Sequence, residues 1–258
     1  MSRRLVVELA TLAIAAFAAF LIRSFVAAPY SIPSESMLPT LMVDDTLIAE
    51  KWRVGPLRRI LAFAERTAPS LPERGDIIVF KAPPSGRQAY VKRLIGLPGD
   101  RIAVKNGIVI LNGTPIPRWR IADFVTPVTP NSPCRPEPGT RVELERENGH
   151  SVCRYPRYAE MLPNGRTYAL LDITDGDADD IPERIVPPDR LFMMGDNRDR
   201  SADSRFVARE GGAIGLVPVG NVIGRARTII VSTDGSWRWT VPSTWRAAIR
   251  RERIGEGL

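Results

Sequence analysis

Tyr90-Val91-Lys92-Arg93-Leu94-Ile95-Gly96 is a short apolar run holding two cations, and Leu97-Pro98-Gly99-Asp100 turns it into Arg101-Ile102-Ala103-Val104. Runs of this length, rich in β-branched residues and bounded by Gly and Pro, are strands. The same pattern extends both ways along the chain. Upstream, Thr46-Leu47-Ile48-Ala49 reads as a strand, and Arg74-Gly75-Asp76 turns the chain into Ile77-Ile78-Val79-Phe80. Downstream, Asn106-Gly107 leads into Ile108–Leu111, and Asn112-Gly113 marks the next turn. This is a β-meander, and the 23 prolines and 20 glycines of the chain favour a mainly β fold over a helical bundle. Further strands are expected at Tyr168–Ile173, at Arg190–Met194 ahead of Gly195-Asp196-Asn197, and at Val222–Val231.

The segment 103–188 has a different texture. It is Pro-rich and in places acidic, as in Asp175–Asp180, and reads as an inserted, loop-rich β subdomain within a core of about 24–102 and 189–235. The acidic run lacks a terminal glutamate at calcium-loop spacing and reads as a solvated turn. Lys51–Thr67 places Leu57, Ile60, Leu61 and Ala64 at helical spacing, which suggests a short amphipathic helix, packed on the core or touching lipid. The tail 236–258 carries Trp237, Trp239 and Trp245 with Arg246, Arg250, Arg251 and Arg253. Ser243 is expected to cap a helix that puts Trp245, Ala248, Ile249 and Glu252 on one side, at a membrane interface, docked on the domain, or as a frayed end.

Leu5–Ile22 is apolar except for Glu8 and Thr11, long enough to span a bilayer core. Arg3 and Arg4 favour a cytoplasmic N-terminus, and Arg23 works against that bias. Val26-Ala27-Ala28 also has the form of a secretory cleavage site. Pro29 directly after it, and the length of the apolar run, favour an uncleaved signal-anchor. The expected organisation is a cytoplasmic stretch 1–4, a transmembrane helix 5–23 and an extracytoplasmic domain 24–258. That is a single-pass membrane protein with its folded domain outside the cytoplasm. Cys134 and Cys153 suit an exported domain. They either form a disulfide closing a loop of about 20 residues, worth on the order of 3 kcal/mol, or stay as two thiols. They are too few for a zinc site, and no metal, nucleotide or other cofactor motif is present. The formal charge of +7 comes from scattered arginines with no nucleic-acid module, so an anionic membrane surface explains it better than nucleic acid.

One histidine, His150, serves the whole chain, yet Ser31-Ile32-Pro33-Ser34-Glu35-Ser36-Met37-Leu38-Pro39-Thr40 reads like a nucleophile loop. A serine without histidine needs another base, and a buried lysine can be one. Lys92, with Tyr90, Val91, Leu94 and Ile95 about it, is the candidate.

Three blocks carry a resemblance. They are Ser34-x-Ser36-Met37-x-Pro39-Thr40, then Tyr90-Val91-Lys92-Arg93 with Gly96-x-Pro98-Gly99-Asp100, then Gly195-Asp196-Asn197-Arg198-Asp199-Arg200-Ser201-Ala202-Asp203-Ser204-Arg205. In this order behind an apolar N-terminus, and with Gly75-Asp76 before a strand, they resemble bacterial type I signal peptidase over about residues 20–230. The resemblance implies a mainly antiparallel β catalytic core and no cofactor. It implies Ser36 as nucleophile, Lys92 as general base, and the Ser36 N–H with the Ser34 hydroxyl as oxyanion donors. Ser201 would orient the lysine, with Asp203 and Arg205 as buttress. Tyr30, Ile32, Pro33 and Val91 match pocket-lining positions that would admit the small residues at −1 and −3 of exported preproteins. Glu35 stands where several relatives carry glycine, and Arg200 where better-known relatives carry asparagine. Two other readings stand beside this one. The first is a specialised relative maturing one substrate, a pilin or conjugation factor. The second is a LexA-like Ser/Lys self-cleaving regulator, against which the anchor and the lack of a helix-turn-helix speak. The resemblance places the catalytic domain 24–258 on the periplasmic side of the cytoplasmic (inner) membrane, and a monomer in contact with membrane lipid is expected.

Overall fold

The computed structural model describes residues 3–25, 27–51 and 71–258. The segment expected to form an amphipathic helix, 51–67, lies outside the described residues but for Lys51. Among the described residues, an N-terminal helix α1 (Arg3–Phe25) precedes fifteen strands. Side chains are described for only part of α1, and among the described residues no helix is long and apolar enough to cross a membrane.

The strands are β1 (Ala27–Ser31), β2 (Asp45–Lys51), β3 (Ile77–Lys81), β4 (Ala89–Gly96), β5 (Arg101–Lys105), β6 (Ile108–Leu111) and β7 (Thr114–Pro115). There follow β8 (Arg118–Pro127), β9 (Glu143–Glu147), β10 (His150–Met161), β11 (Thr167–Leu171) and β12 (Ile181–Ile185). Last come β13 (Arg190–Met194), β14 (Val217–Pro218) and β15 (Val222–Ser232). They pair antiparallel in three sheets: a seven-stranded one in the order β1-β2-β15-β3-β4-β13-β14, one of β11-β10-β8 with β9 on β10, and one of β12-β5-β6-β7. The expected mainly β, antiparallel class is the observed one. The segment read as loop-rich instead carries the 10-residue β8 and the 12-residue β10. Pro156 hid β10 from the sequence reading. It has no N–H to give, and the ladder to β8 slips between Tyr155 and Arg157, where it lies.

The seven-stranded sheet is buried on both faces. On β3, Ile77 and Val79 enter one cluster with Ile32, Met37, Leu41, Leu47 and Ile229, while Ile78 and Phe80 enter another with Leu94, Leu191, Met193 and Val222. Period-two alternation does the same for β4, sending Lys92 and Leu94 to one face and Val91, Arg93 and Ile95 to the other. Met37 is 1% exposed, so the serine segment is pinned to the core by its own methionine.

The tail departs from its expectation. Helix α2 spans only Ser243–Ala247 and is preceded at its cap by Pro242, not Ser243. Ala248 is buried, and the chain returns to the sheet, with Arg253 bonded to Asp45 at 2.6 Å and Leu258 N–H to the Arg227 carbonyl at 3.0 Å. Trp237, Trp239 and Trp245 stack edge to face on the exposed side.

Candidate active site

Ser36 sits in a short 3-10 turn, Glu35–Met37, between β1 and β2. Lys92 reaches it from β4, with Nζ 2.5 Å from Ser36 Oγ, and both side chains are buried. Ser34 Oγ is 3.3 Å from Ser36 Oγ and does not cap the turn, which leaves that hydroxyl facing the site. Burial lowers the Lys92 pKa to about 8, against the pull of Asp203 and Asp196 and with the help of Arg205. The histidine takes no part: His150 is exposed at the start of β10, paired across the hairpin with Glu147.

The third block wraps behind the pair. Gly195 must be glycine, because a Cβ there would collide with Ser201 Oγ and the Ser36 carbonyl oxygen. Asn197 donates its backbone N–H to the Ser36 carbonyl at 3.1 Å and its amide to the Glu35 carbonyl at 3.2 Å. Asp203 accepts the Gly195 N–H at 3.0 Å and pairs with the fully buried Arg205 at 2.9 Å. Burial pushes the Asp203 carboxyl up, but Arg205, the Gly195 N–H and Ser201 outweigh it and hold the group below its ordinary value. Ser201 is thus near Ser36 and Asp203. Its Oγ is buried and lies close enough to lower the Asp203 carboxyl, yet makes no well-aligned hydrogen bond among the described residues, to Lys92 included.

Sequence reading missed a second tier of buried charge. Arg93 leaves β4 on the face opposite Lys92 and clamps Asp196 with two arms at 2.7 and 2.6 Å, while Thr40 donates to the same carboxylate at 2.5 Å. The Arg93 guanidinium also lies 4.2 Å over the Tyr168 ring. Arg198 pairs with Glu160 of β10 at 2.5 Å, and Tyr168 donates to that glutamate at 2.5 Å. These pairs tie the serine turn, β4 and the second sheet into one unit. The signal for them was present in the Arg93, Asp196 and Arg198 of the quoted blocks. Their partners lie too far along the chain to be read.

A cleft of about 600 Å³ opens over Ser36 and Lys92. Tyr30, Ile32, Pro33 and Val91 all line it, and Arg200 and Ala202 border it from the third block. Cys134 and Cys153 form a disulfide with their Cα atoms 5.3 Å apart. A desolvated amine against a serine hydroxyl, in an open cleft with a second hydroxyl at hand, is equipped for nucleophilic hydrolysis.

The comparisons narrow this class. The family model described as signal peptidase, peptidase S26, matches residues 4–231. The chain is 31% identical over 233 residues to the signal peptidase I of Rickettsia typhi (strain ATCC VR-144 / Wilmington), covering 85% of this chain and 77% of that one. With the signal peptidase I of Rickettsia canadensis (strain McKiel) it is 32% identical over 233 residues, at the same coverages of 85% and 77%. A signal peptidase I crystal structure from Enterococcus faecalis V583 is 26% identical, with 60% of this chain and 97% of that one covered and a TM-score of 0.31. The chain belongs to the signal peptidase I family, peptidase S26, and is a serine peptidase.

Proposed function

We propose that this protein is a membrane-bound endopeptidase that removes N-terminal signal peptides from exported preproteins, with Ser36 as nucleophile and Lys92 as general base. The observation that carries the reading is the 2.5 Å approach of the desolvated Lys92 amine to Ser36 Oγ. A lysine of pKa 10.5 would be neutral in only about 0.03% of molecules at pH 7, whereas one at about 8 is neutral in about 9%. Burial therefore raises the working population of base about 300-fold at that pH.

The neutral amine takes the Ser36 proton as Oγ attacks the scissile carbonyl. The Ser36 N–H and the Ser34 hydroxyl receive the oxyanion. The resulting ammonium protonates the leaving amine, and Lys92, neutral again, activates the water that releases the acyl group. Asp203, Arg205 and Ser201 hold the wall behind Lys92. The apolar walls at Tyr30, Ile32, Pro33 and Val91 would admit small side chains at −1 and −3 and reject larger ones by overlap. The substrate would lie extended beside β4.

The N-terminal helix is assigned as the anchor, with residues 1–4 in the cytoplasm, 5–23 in the bilayer and 24–258 on the periplasmic side. Val7, Leu9, Leu12, Ile14 and Phe17 support it, all exposed along α1. The exposed tryptophans of the tail are further candidates for lipid contact. The test is cleavage of a preprotein with an Ala-x-Ala site by the protein in detergent, the cut mapped by mass spectrometry. The reading expects a cut after the second Ala, lost in Ser36→Ala and in Lys92→Ala. Undiminished cleavage by Lys92→Ala would refute the dyad.

A further inference from the structure

The serine turn carries a charge that this chemistry does not use. Glu35 lies between Ser34 and Ser36, and its carboxylate accepts a bond from Arg200 Nη1 at 2.6 Å, from 165 positions along the chain. The other arm of the same guanidinium, Nη2, donates to the Arg135 carbonyl at 2.9 Å. Arg135 follows Cys134, whose disulfide joins it to Cys153 on β10. The pair is largely shielded, with side chains 18% and 16% exposed. Arg200 thus spans from the turn holding the nucleophile to a covalently braced point of the second sheet. Within the turn the backbone bonds are Leu38 N–H to the Glu35 carbonyl at 3.1 Å and Leu41 N–H to the Met37 carbonyl at 2.9 Å. Asn197 holds the Ser36 and Glu35 carbonyls from one side, and Arg200 holds the Glu35 side chain.

We propose that Arg200 is a positioning residue: through its bonds to Glu35 and to the Arg135 carbonyl it holds the Ser34-Glu35-Ser36 turn so that the Ser34 hydroxyl and the Ser36 N–H converge on one oxyanion. The inference rests on the reading of Ser36 as nucleophile. It has two physical consequences. A turn released by even about 1 Å misaligns both donors and lowers kcat about ten- to a hundredfold, with little effect on substrate binding. Arg200 also cancels the Glu35 charge next to the site. Lys92 otherwise faces Asp203, Asp196 and Arg205, with the Tyr90 ring 6.0 Å from Nζ. An uncompensated Glu35 would add a third negative charge to those of Asp203 and Asp196 and favour the ammonium form of the base.

The experiment measures kcat, KM and the pH profile of kcat for wild type, Ser36→Ala, Arg200→Gln, Arg200→Lys and Glu35→Gln on one Ala-x-Ala preprotein in detergent. Arg200→Gln is expected to lose about ten- to a hundredfold in kcat at a KM within about twofold, with its acid limb moved to higher pH. Glu35→Gln is expected to move the limb the other way, because Arg200 is then uncompensated. Arg200→Lys, which keeps the charge and one arm, is expected to keep the wild-type limb and recover part of kcat. A role in folding alone would lower the active fraction and leave every limb in place. Wild-type kcat and limb in Arg200→Gln, with Ser36→Ala inactive, overturn the positioning role alone. Should Arg200→Gln not fold, an unmoved limb in Glu35→Gln overturns it instead. Cleavage by Ser36→Ala would show that the nucleophile reading itself is wrong.

Discussion

Replacing Lys92 with methionine should destroy activity and at the same time stabilise the protein. Burial lowers the lysine pKa from 10.5 to about 8, and that difference corresponds to about 3 kcal/mol. The folded-state value is depressed, so below pH 8 both folded and unfolded chains carry the proton. There the folded state bears the whole cost of a buried ammonium. Above pH 8 the folded protein sheds the proton first, and the cost shrinks until it vanishes beyond pH 10.5, where the unfolded chain is neutral too. Methionine fills similar space without charge. Lys92→Met is therefore expected to be more stable than wild type by about 3 kcal/mol at pH 6.5 and by about 1 kcal/mol at pH 9.5. Urea unfolding of both proteins at the two pH values, in the same detergent, measures this. A variant less stable than wild type at pH 6.5, or an advantage that does not narrow by pH 9.5, would refute the argument that desolvation sets the state of Lys92. A stability sacrificed for activity is a common property of active sites.

Three further outcomes follow from the packing. Asp196→Asn removes the carboxylate that both Arg93 and Thr40 hold, leaves a buried guanidinium unpaired, and should cost about 3–5 kcal/mol in denaturant unfolding. Replacing Cys134 and Cys153 together with serine opens a loop of about 20 residues and should cost about 3 kcal/mol by the same measurement. Gly195→Ala places a methyl group against Ser201 Oγ and the Ser36 carbonyl, so kcat should fall sharply while circular dichroism still reports a folded β protein.

Much of the seven-stranded sheet could be read directly. Ile77–Phe80, Tyr90–Ile95 and Val222–Val231 are apolar runs between strong turn residues, and β3, β4 and β15 fall on them within a residue or two. The second sheet was harder to read for a physical reason. β9 is Glu-Leu-Glu-Arg-Glu with no buried position, and β8 buries only Thr126, so neither shows an apolar stripe. Their pairing comes from the strand between them, and a lone sequence cannot display that. The same limit applies at the site. Ser36 and Lys92 can be picked out because a serine without histidine needs a desolvated amine, and few lysines lie in apolar runs. The bond from Arg200 to Glu35 joins residues that look solvent-exposed when read singly, and their meeting depends on the fold bringing together segments 165 positions apart.

The most direct test of the central claim, that a serine here is activated by a lysine kept neutral through burial, is the pH dependence of kcat/KM on an Ala-x-Ala substrate from pH 6 to pH 10.5. Only the deprotonated base works, so activity should fall tenfold per unit as pH drops below about 8 and be level above it. A rate that continues to climb tenfold per unit through pH 10 would mean an ordinary lysine. A rate flat from pH 6 to pH 8 would mean that Lys92 is not the base.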